Sequence, residues 1–247
     1  MYALCQHGDT IRVQDDVRAC FGWELSADRA VRDWLIEEVG HLHPLWNGHR
    51  RDARLKDLIR RISEAAPGGI CVVGASAETA DVARSLDAGF ALVFADGAFG
   101  IVRDLDASRR RLGEQRSLCI VSDADGVPHI LDSSIGGHTV VLHAHGDAEH
   151  QLERALAAWA VLEQPPELIL THQTPDDVSG AFNPGGFTDG DRALCLLDWA
   201  GVHSRNIHLI GFECGSVGRW SGDFDESSKL EKLRWMRKIV GWLKHEV

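Results

Sequence analysis

Short apolar runs recur along the chain from residue 70 onwards, and helix-like segments separate several of them. The runs are ICVVG (70–74), ALVFADG (91–97), SLCIVSDADG (117–126), TVVLHAHGD (139–147), ELILTHQ (167–173) and NIHLIGFE (206–213). Near-continuous apolar runs of this length are typical of strands buried on both faces of a sheet. Because they alternate with helical segments such as AEHQLERALAAWAVLEQ, the pattern predicts an α/β fold, a mostly parallel sheet with helices on both faces.

The first part of the chain has a different pattern and is predicted to be mostly helical. Ser26 can cap a helix through Asp28–Val39, and a second helix is predicted over RRDARLKDLIRRISEAA. Apolar residues recur there at helical spacing, at Leu55, Leu58, Ile59 and Ile62. PGG at 67–69 ends the region. We therefore expect a small helical N-terminal region at 1–66 and an α/β domain at 67–247.

Charge and cysteine usage narrow the class of protein. The 247-residue chain has a net charge of −11 at pH 7, which argues against nucleic-acid or membrane-surface binding. No apolar stretch approaches the roughly 20 residues needed to cross a bilayer. The six cysteines, Cys5 among them, are scattered without a CxxC pair, and we expect them to be reduced. Since MYALCQHGDTIRVQDD does not resemble a signal peptide, we expect a cytoplasmic protein.

Polar residues gather where the predicted strands end. They are Gly74 and Ser76, Asp96 and Gly97, Asp123 and Asp125, His143 through Asp147, Thr171 through Gln173, and Glu213. In an open parallel sheet the carboxyl ends of the strands lie on one edge, which is where ligands bind. The pattern therefore predicts one shared ligand site along that edge.

The HxHxD segment formed by His143, His145 and Asp147 allows two interpretations. It is part of the dinuclear zinc signature of metallo-β-lactamase-like hydrolases, but that signature continues with a further histidine where this chain has Ala148. We favour the alternative that both histidines are hydrogen-bonded orienting residues, because the other strand ends supply carboxylates, the ligands that Mg²⁺ prefers.

The segment SDADG supplies a pair of carboxylates suited to a hard cation. Asp123 and Asp125 lie two positions apart after a buried strand, so they can bind one cation from the same side. Gly126 lets the chain turn sharply away. The chain has no GxxxxGK[ST] loop, which excludes a P-loop enzyme, although GASAET (74–79) can place backbone N–H groups near an anion.

A second polar segment, NPGGFTDGDRA (183–193), is also predicted to contact a ligand. Gly185 and Gly186 allow close approach of the backbone, and Phe187 can stack on a flat heterocycle. Thr188 or Asp189 can cap the following helix, whose first turn contains Asp191 and Arg192. In the last helix, Lys229 and Lys232 either reach phosphates or form a solvated face, and the sequence favours the solvated face.

Taken in order, the motifs resemble one known family. FADGA, SDADG, VLHAHGD, THQ, NPGGFTDGDRA and LIGFE resemble the archaeal 6-hydroxymethyl-7,8-dihydropterin pyrophosphokinases, whose catalytic domain is related to thiamin pyrophosphokinase. The resemblance covers about residues 70–240, and FGWELSADRAVRDWL resembles the family's leading segment. It implies a nucleotide-binding catalytic domain that transfers pyrophosphate from ATP to the hydroxymethyl group of a reduced pterin and releases AMP, in tetrahydromethanopterin or folate biosynthesis.

The resemblance also implies roles for individual residues. Asp123 and Asp125 match the acidic pair that holds Mg²⁺ on the triphosphate, and Asp96 and Asp147 match further acidic positions. The predicted catalytic and metal-binding residues are Asp123, Asp125 and Asp147. The predicted nucleotide-binding residues are Gly74, Ser76, Asp96, Gly97, His145, Thr171, Gln173, Gly185, Gly186, Phe187, Thr188, Asp189, Asp191 and Arg192. A glycosyltransferase-like relative, a zinc-dependent hydrolase and a non-catalytic nucleotide-binding protein are the alternatives, and a homodimer is left open.

Overall fold

The computed structural model describes residues 8–126, 129–131, 133–222 and 226–245, so Cys5 lies outside the described residues. Within these ranges, six strands form one parallel sheet in the order β5-β4-β3-β2-β1-β6. The strands are β1 (Ile70–Val73), β2 (Ala91–Ala95), β3 (Ser117–Ser122), β4 (Thr139–Ala144), β5 (Glu167–His172) and β6 (Ile207–Ile210). The predicted α/β fold with a parallel sheet is confirmed.

Eight α-helices accompany the strands over the same described ranges. They are α1 (Gly8–Phe21), α2 (Leu25–Leu42), α3 (Gly48–Ala65), α4 (Thr79–Asp87), α5 (Ala107–Arg116), α6 (Glu149–Ala160), α7 (Asp189–Trp199) and α8 (Glu226–Trp242). None of them combines the length and apolar character needed to cross a bilayer. The five described cysteines, at positions 20, 71, 119, 195 and 214, are free thiols.

The helices cover both faces of the sheet. Alternate strand residues point to opposite faces, so Cys71 and Val73 pack with α2, α4 and α6, whereas Ile70 and Val72 pack with α1, α3, α7 and α8. Strands β1 to β5 lie side by side in the order in which they occur in the chain. The chain then returns through α7, on the other face, and places β6 beside β1. The strand order therefore reverses between β1 and β6, and a reversal of this kind opens a crevice at the carboxyl edge.

The helices of residues 8–65 pack directly on the sheet. Leu58 and Ile62 of α3 are fully buried in one apolar cluster, and Leu35 of α2 is buried in the other. The division of the chain near residue 66 into a helical N-terminal region and an α/β domain stays a prediction. The expected Ser26 cap is wrong: α2 begins at Leu25, so Ser26 lies inside the first turn and the N-cap position is Glu24, which makes no side-chain capping bond.

Two elements between β2 and β3 were not predicted from the sequence. A 3-10 helix spans Asp96–Asp104 and α5 follows it. The start of α5 carries a recognisable signal, because the Asp106 side chain accepts hydrogen bonds from the backbone N–H groups of Ser108 and Arg109. The body of α5 (ASRRRLGEQR) has only one leucine and mostly polar residues, so it lacks the apolar periodicity by which the other helices were recognised.

A buried carboxylate links the first two helices to the edge where the sheet ends. Asp28 of α2 accepts a hydrogen bond from Arg18 Nη1 at 2.8 Å and one from the backbone N–H of Gly146 at 2.8 Å. The side-chain amide of Gln173 donates to both Asp28 oxygens, at 3.0 and 3.1 Å. Because Gly146 follows β4 and Gln173 follows β5, this network fixes the two strand ends relative to α1 and α2.

His172 gives the stability of the fold a dependence on pH. Its Nδ1 accepts a hydrogen bond from the backbone N–H of Thr174 at 3.2 Å, and burial together with the charge of Arg32 lowers the pKa of His172 from 6.5 to about 4. Since the folded pKa is the lower one, the folded protein favours the neutral ring. The preference for the neutral His172 ring contributes roughly 3 kcal/mol to the free energy of unfolding. This contribution is complete above pH 6.5 and is lost as the pH falls towards 4.

Urea unfolding at pH 7 and pH 4 checks this prediction. In His172→Asn the side-chain oxygen replaces the Nδ1 acceptor without a group that titrates in this range, so the variant is expected to lose less stability between the two pH values than the wild type. An equal loss in both proteins would show that His172 remains neutral in the unfolded chain or charges freely in the folded one.

Candidate active site

Four aspartates converge at the carboxyl edge of the sheet. One oxygen each from Asp96, Asp123, Asp125 and Asp189 lies within 4.8 Å of the others. Asp96 follows β2, Asp123 and Asp125 follow β3, and Asp189 begins α7. We call this set the acidic group. It contains both predicted metal ligands of the SDADG segment, together with two residues predicted only to bind the nucleotide.

The backbone around the acidic group is tightly constrained. Asp96 has a positive φ of 47°, and its Oδ1 accepts a hydrogen bond from Ser122 Oγ at 2.6 Å. Ser122 Oγ also accepts from the backbone N–H of Ala124 at 2.8 Å. A Cβ at Gly126 would lie 2.1 Å from Asp96 Oδ2, so the glycine predicted for a sharp turn is required here because a carboxylate occupies the space.

Repulsion among the four carboxylates suits the group to a cation. Burial and the neighbouring negative charges raise the pKa of Asp96 and of Asp189 well above the ordinary value, and the same causes raise the pKa of Asp125. Four carboxylate oxygens at this separation match the hard-ligand preference of Mg²⁺. A divalent cation among them would remove the repulsion and allow all four to ionise.

His145 keeps one member of the group ionised. Its Nε2 lies 3.1 Å from Asp123 Oδ2 and its Nδ1 lies 2.5 Å from Asp147 Oδ1. Burial alone would lower the pKa of His145, but the two carboxylates raise it to about 9, so the ring is a cation at neutral pH. Burial acts to raise the pKa of Asp123, but the hydrogen bond and charge of His145, together with the charges of Arg192 and Lys232, outweigh burial and lower it.

Asp147 lies outside the acidic group. Its side chain is 61% exposed and contacts His145, whose hydrogen bond lowers the pKa of Asp147. The sequence predicted Asp147 as a third metal ligand and a catalytic residue. The structure places it in contact with the histidine that holds Asp123, and its metal-binding and catalytic roles stay predictions.

The two histidines of HxHxD have separate hydrogen-bond partners. His143 is fully buried, and its Nδ1 lies 3.0 Å from Thr171 Oγ1. Burial and the charge of Arg192 lower the pKa of His143 well below its usual value, so the ring is neutral. Both histidines have hydrogen-bond partners within the protein, in agreement with the favoured interpretation, and their orienting role stays a prediction. Thr171, predicted to bind nucleotide, lies inside the sheet edge against His143.

The two glycines of NPGGFTDGDRA approach the protein itself. Gly185 and Gly186 have φ values of 91° and 85°. A Cβ at Gly185 would lie 2.6 Å from Thr10 Oγ1, and the backbone N–H of Gly186 donates to the Thr10 carbonyl at 3.0 Å. The close approach that the structure shows is to helix α1, and contact of these glycines with a ligand stays a prediction.

The rest of this segment supports Asp189. Thr188 is the N-cap of α7 and forms a capping box with Asp191, whose carboxylate accepts hydrogen bonds from the backbone N–H groups of Phe187 and Thr188 at 2.5 and 3.0 Å. Arg192 is 1% exposed and donates to Asp189 Oδ1 at 3.1 Å. Asp191 and Arg192, predicted to bind nucleotide, are thus buried residues that hold the loop and Asp189 in place.

Two clefts open beside the acidic group. The larger cleft lies at the β1/β6 reversal and spans about 610 Å³, including space open to solvent. Its lining comes from the loops after β1, β2 and β6 and from α7 and α8: Gly74, Ala75, Ser76, Ala95, Asp96, Gly97, Asp125, Thr188, Asp189, Gly190, Gly211, Phe212, Glu213, Ser216, Val217, Gly218, Trp220, Ser221, Lys229, Leu233 and Met236. The backbone N–H of Ser76 donates to the Gly211 carbonyl at 3.1 Å, so it is already satisfied within the protein.

The second cleft, called here the aromatic cleft, encloses about 370 Å³ on the other side of the acidic group. It is lined by Trp23, Asp123, Asp125, His145, Gln173, Phe187, Thr188, Asp189, Lys229 and Lys232. Asp125, Asp189 and Lys229 line both clefts, together with Thr188. A ligand in either cleft would therefore reach the same carboxylates.

Three curated archaeal proteins resemble the chain in sequence. A protein of Pyrococcus furiosus named 6-hydroxymethyl-7,8-dihydropterin pyrophosphokinase is 37% identical over 134 residues, 51% of this chain and 53% of that protein. A protein of the same name from Methanothermobacter thermautotrophicus is 31% identical over 170 residues, 65% of this chain and 66% of that protein. A third, from Methanocaldococcus jannaschii, is 25% identical over 141 residues, 52% of this chain and 55% of that protein. The chain is a homologue of these pyrophosphokinases.

The resemblance to archaeal pterin pyrophosphokinases predicted from the motifs is confirmed. The matched segments span about half to two thirds of the relatives' lengths. These relatives favour neither the glycosyltransferase-like alternative nor the zinc hydrolase. No family model matches the chain, and no solved structure matches it.

Several residues of this pyrophosphokinase homologue line the clefts without having been predicted to do so. Trp23 lies between α1 and α2, and Phe212 and Trp220 lie in the loop after β6. Lys229 was interpreted as part of a solvated helix face, but it lines both clefts. Burial would lower the pKa of Lys229, yet the charges of the acidic group raise it, so its ammonium persists beside the carboxylates. A positive charge here is suited to phosphate binding.

Proposed function

We propose that the chain is a Mg²⁺-dependent 6-hydroxymethyl-7,8-dihydropterin pyrophosphokinase that acts in tetrahydromethanopterin or folate biosynthesis. The observation that carries the proposal is the acidic group, which lies between two clefts at the carboxyl edge of the sheet. The archaeal homologues that bear this name support it. A reaction that joins two substrates through a charged phosphate chain needs such an arrangement: two binding spaces that meet at a cation site.

The proposed reaction moves a pyrophosphoryl group. The oxygen of the pterin hydroxymethyl group attacks the β-phosphorus of ATP, the bond from that phosphorus to the oxygen bridging to the α-phosphate breaks, and AMP leaves with the bridging oxygen. A carboxylate of the acidic group accepts the proton of the alcohol. When bound, Mg²⁺ neutralises charge on the triphosphate, and Asp123, Asp125, Asp96 and Asp189 are the residues that would hold it.

Further residues would assist this transfer. Lys229 lies beside the acidic group and adds a second positive charge for the phosphates. His145 keeps Asp123 ionised, and Asp147 holds His145 in turn. We assign Asp147 to this positioning role. The free cysteines support the further proposal that the enzyme works in a reducing compartment such as the cytoplasm.

A product assay tests the proposed function. The protein is incubated with ATP, Mg²⁺ and 6-hydroxymethyl-7,8-dihydropterin, and nucleotides are separated by chromatography. We expect AMP that appears only when the pterin is present, and no AMP after EDTA is added in excess over Mg²⁺. Pterin-dependent ADP would indicate a simple kinase, and ATP binding without any turnover would indicate a nucleotide sensor. Either result would overturn the proposal.

A further inference from the structure

The two clefts differ in the chemistry of their walls, and this difference bears on which substrate each one binds. Glycines and their backbone atoms form much of the wall of the larger cleft. Gly74 packs so closely against Gly211 that a Cβ on Gly74 would lie 2.5 Å from the Gly211 carbonyl oxygen. The larger cleft also contains Asp189 and Gly190, the first residues of α7. Glycine-rich loops beside a helix start are suited to a phosphate chain.

The aromatic cleft has a different wall. Trp23 and Phe187 lie with ring centroids 5.9 Å apart, and Phe187 is only 6% exposed. Phe21 stacks on Trp23 at 4.7 Å with an interplanar angle of 18°, and Lys232 Nζ lies 5.4 Å from the centre of the Trp23 ring. These contacts fix the orientation of Trp23 before any ligand arrives. Aromatic side chains held in this way suit a flat heteroaromatic ring.

Polar groups complete the aromatic cleft on the side of the sheet. The side chain of Gln173 is oriented by its two hydrogen bonds to Asp28 and lines the cleft. Since its NH2 group donates to Asp28, Gln173 offers its side-chain oxygen as an acceptor for the N–H groups on the edge of a pterin ring.

We propose that the aromatic cleft binds the pterin ring, with Trp23 and Phe187 as its apolar walls, and that the larger cleft binds ATP. The assignment rests on the proposed function and adds to it the location of each substrate. The hydroxymethyl group then points towards Asp125, Asp189 and Lys229, which both clefts share, so the alcohol meets the β-phosphorus there. The α1–α2 segment thereby contributes directly to substrate recognition.

Paired variants and two readouts test the assignment. Trp23→Leu is expected to raise the KM for the pterin by about tenfold, because a ring contact of this kind is worth a factor of roughly 5–150, and to change the KM for ATP less than twofold. Phe212→Leu, in the larger cleft, is the matched control and should raise the KM for ATP while the KM for the pterin stays constant. Thermal melts followed by circular dichroism verify that both variants fold, and Trp23→Met, which also lacks an aromatic ring, replaces Trp23→Leu if the latter does not.

A binding measurement separates this inference from the proposed function. 6-Hydroxymethylpterin, the oxidised ring, is titrated into the protein and followed by calorimetry, and Trp23→Leu should weaken its affinity about tenfold. If the wild type binds this ring through Trp23 but forms no AMP, the substrate location stands and the reaction is wrong. If AMP forms but Trp23→Leu leaves the pterin KM and affinity unchanged, or raises only the KM for ATP, the location is wrong and the reaction stands.

Discussion

Asp123→Asn is expected to lower the rate of AMP release by roughly two to three orders of magnitude, the usual effect of removing one preorganised charged contact from a transition state. Asp123 is the member of the acidic group whose pKa is lowered, so it carries negative charge before any cation is bound. The amide keeps the shape of the side chain and an oxygen that can accept the hydrogen bond from His145. The loss should therefore come from the missing charge.

The rate is measured at saturating ATP, Mg²⁺ and pterin, with circular dichroism melts to verify folding. Asp177→Asn makes the same chemical change at an exposed position and should retain the wild-type rate. Asp125→Asn should resemble Asp123→Asn, because both carboxylates belong to the acidic group. A near-normal rate in Asp123→Asn would remove this residue from the proposed metal site.

Asp28→Asn is expected to lower the free energy of unfolding by roughly 3–5 kcal/mol, because it removes the buried carboxylate partner of the Arg18 guanidinium. Asp28 is 1% exposed and Arg18 is 6% exposed, so water cannot take the place of Asp28 beside the Arg18 guanidinium. The same change weakens the hydrogen bond from the backbone of Gly146, next to His145. Some loss of activity should accompany the loss of stability.

Urea unfolding at neutral pH measures this effect, and the chain contains a matched control. Asp15 contacts the same arginine from an exposed position, so Asp15→Asn should cost less than about 1 kcal/mol. If Asp28→Asn and Asp15→Asn were equally stable, the buried carboxylate would contribute no more than a surface ion pair. The role of Asp28 in joining α1 and α2 to the sheet would then be wrong.

The sequence predicted the sheet and its functional edge well, for a physical reason. Strands buried on both faces are continuous apolar runs, and the carboxyl ends of parallel strands meet on one edge whatever the details of the loops. Asp123 and Asp125 could therefore be placed together from the sequence. The strands proved shorter than the runs, because residues such as Asp96 already belong to the loops that form the site.

The remaining features of the site depend on contacts between distant parts of the chain. Asp189 was predicted as a helix cap or a nucleotide ligand, and its place beside Asp125 follows from the packing of α7 against the sheet. Gly185 was correctly predicted to allow close approach, but the sequence does not show that its neighbour is Thr10. The periodicity of α8 identifies its apolar face and does not show that Lys229 faces four carboxylates.

The order of the strands has a consequence for how the protein acquires its activity. The walls of the two clefts come from positions as distant as Trp23, Asp125 and Lys229, and each strand is joined to the next strand along the chain by a long connection. Folds built from such non-local pairings close large loops before they gain contacts, and they form slowly. Catalytic competence should therefore emerge only in the last stage of folding, and no early folding intermediate should possess it.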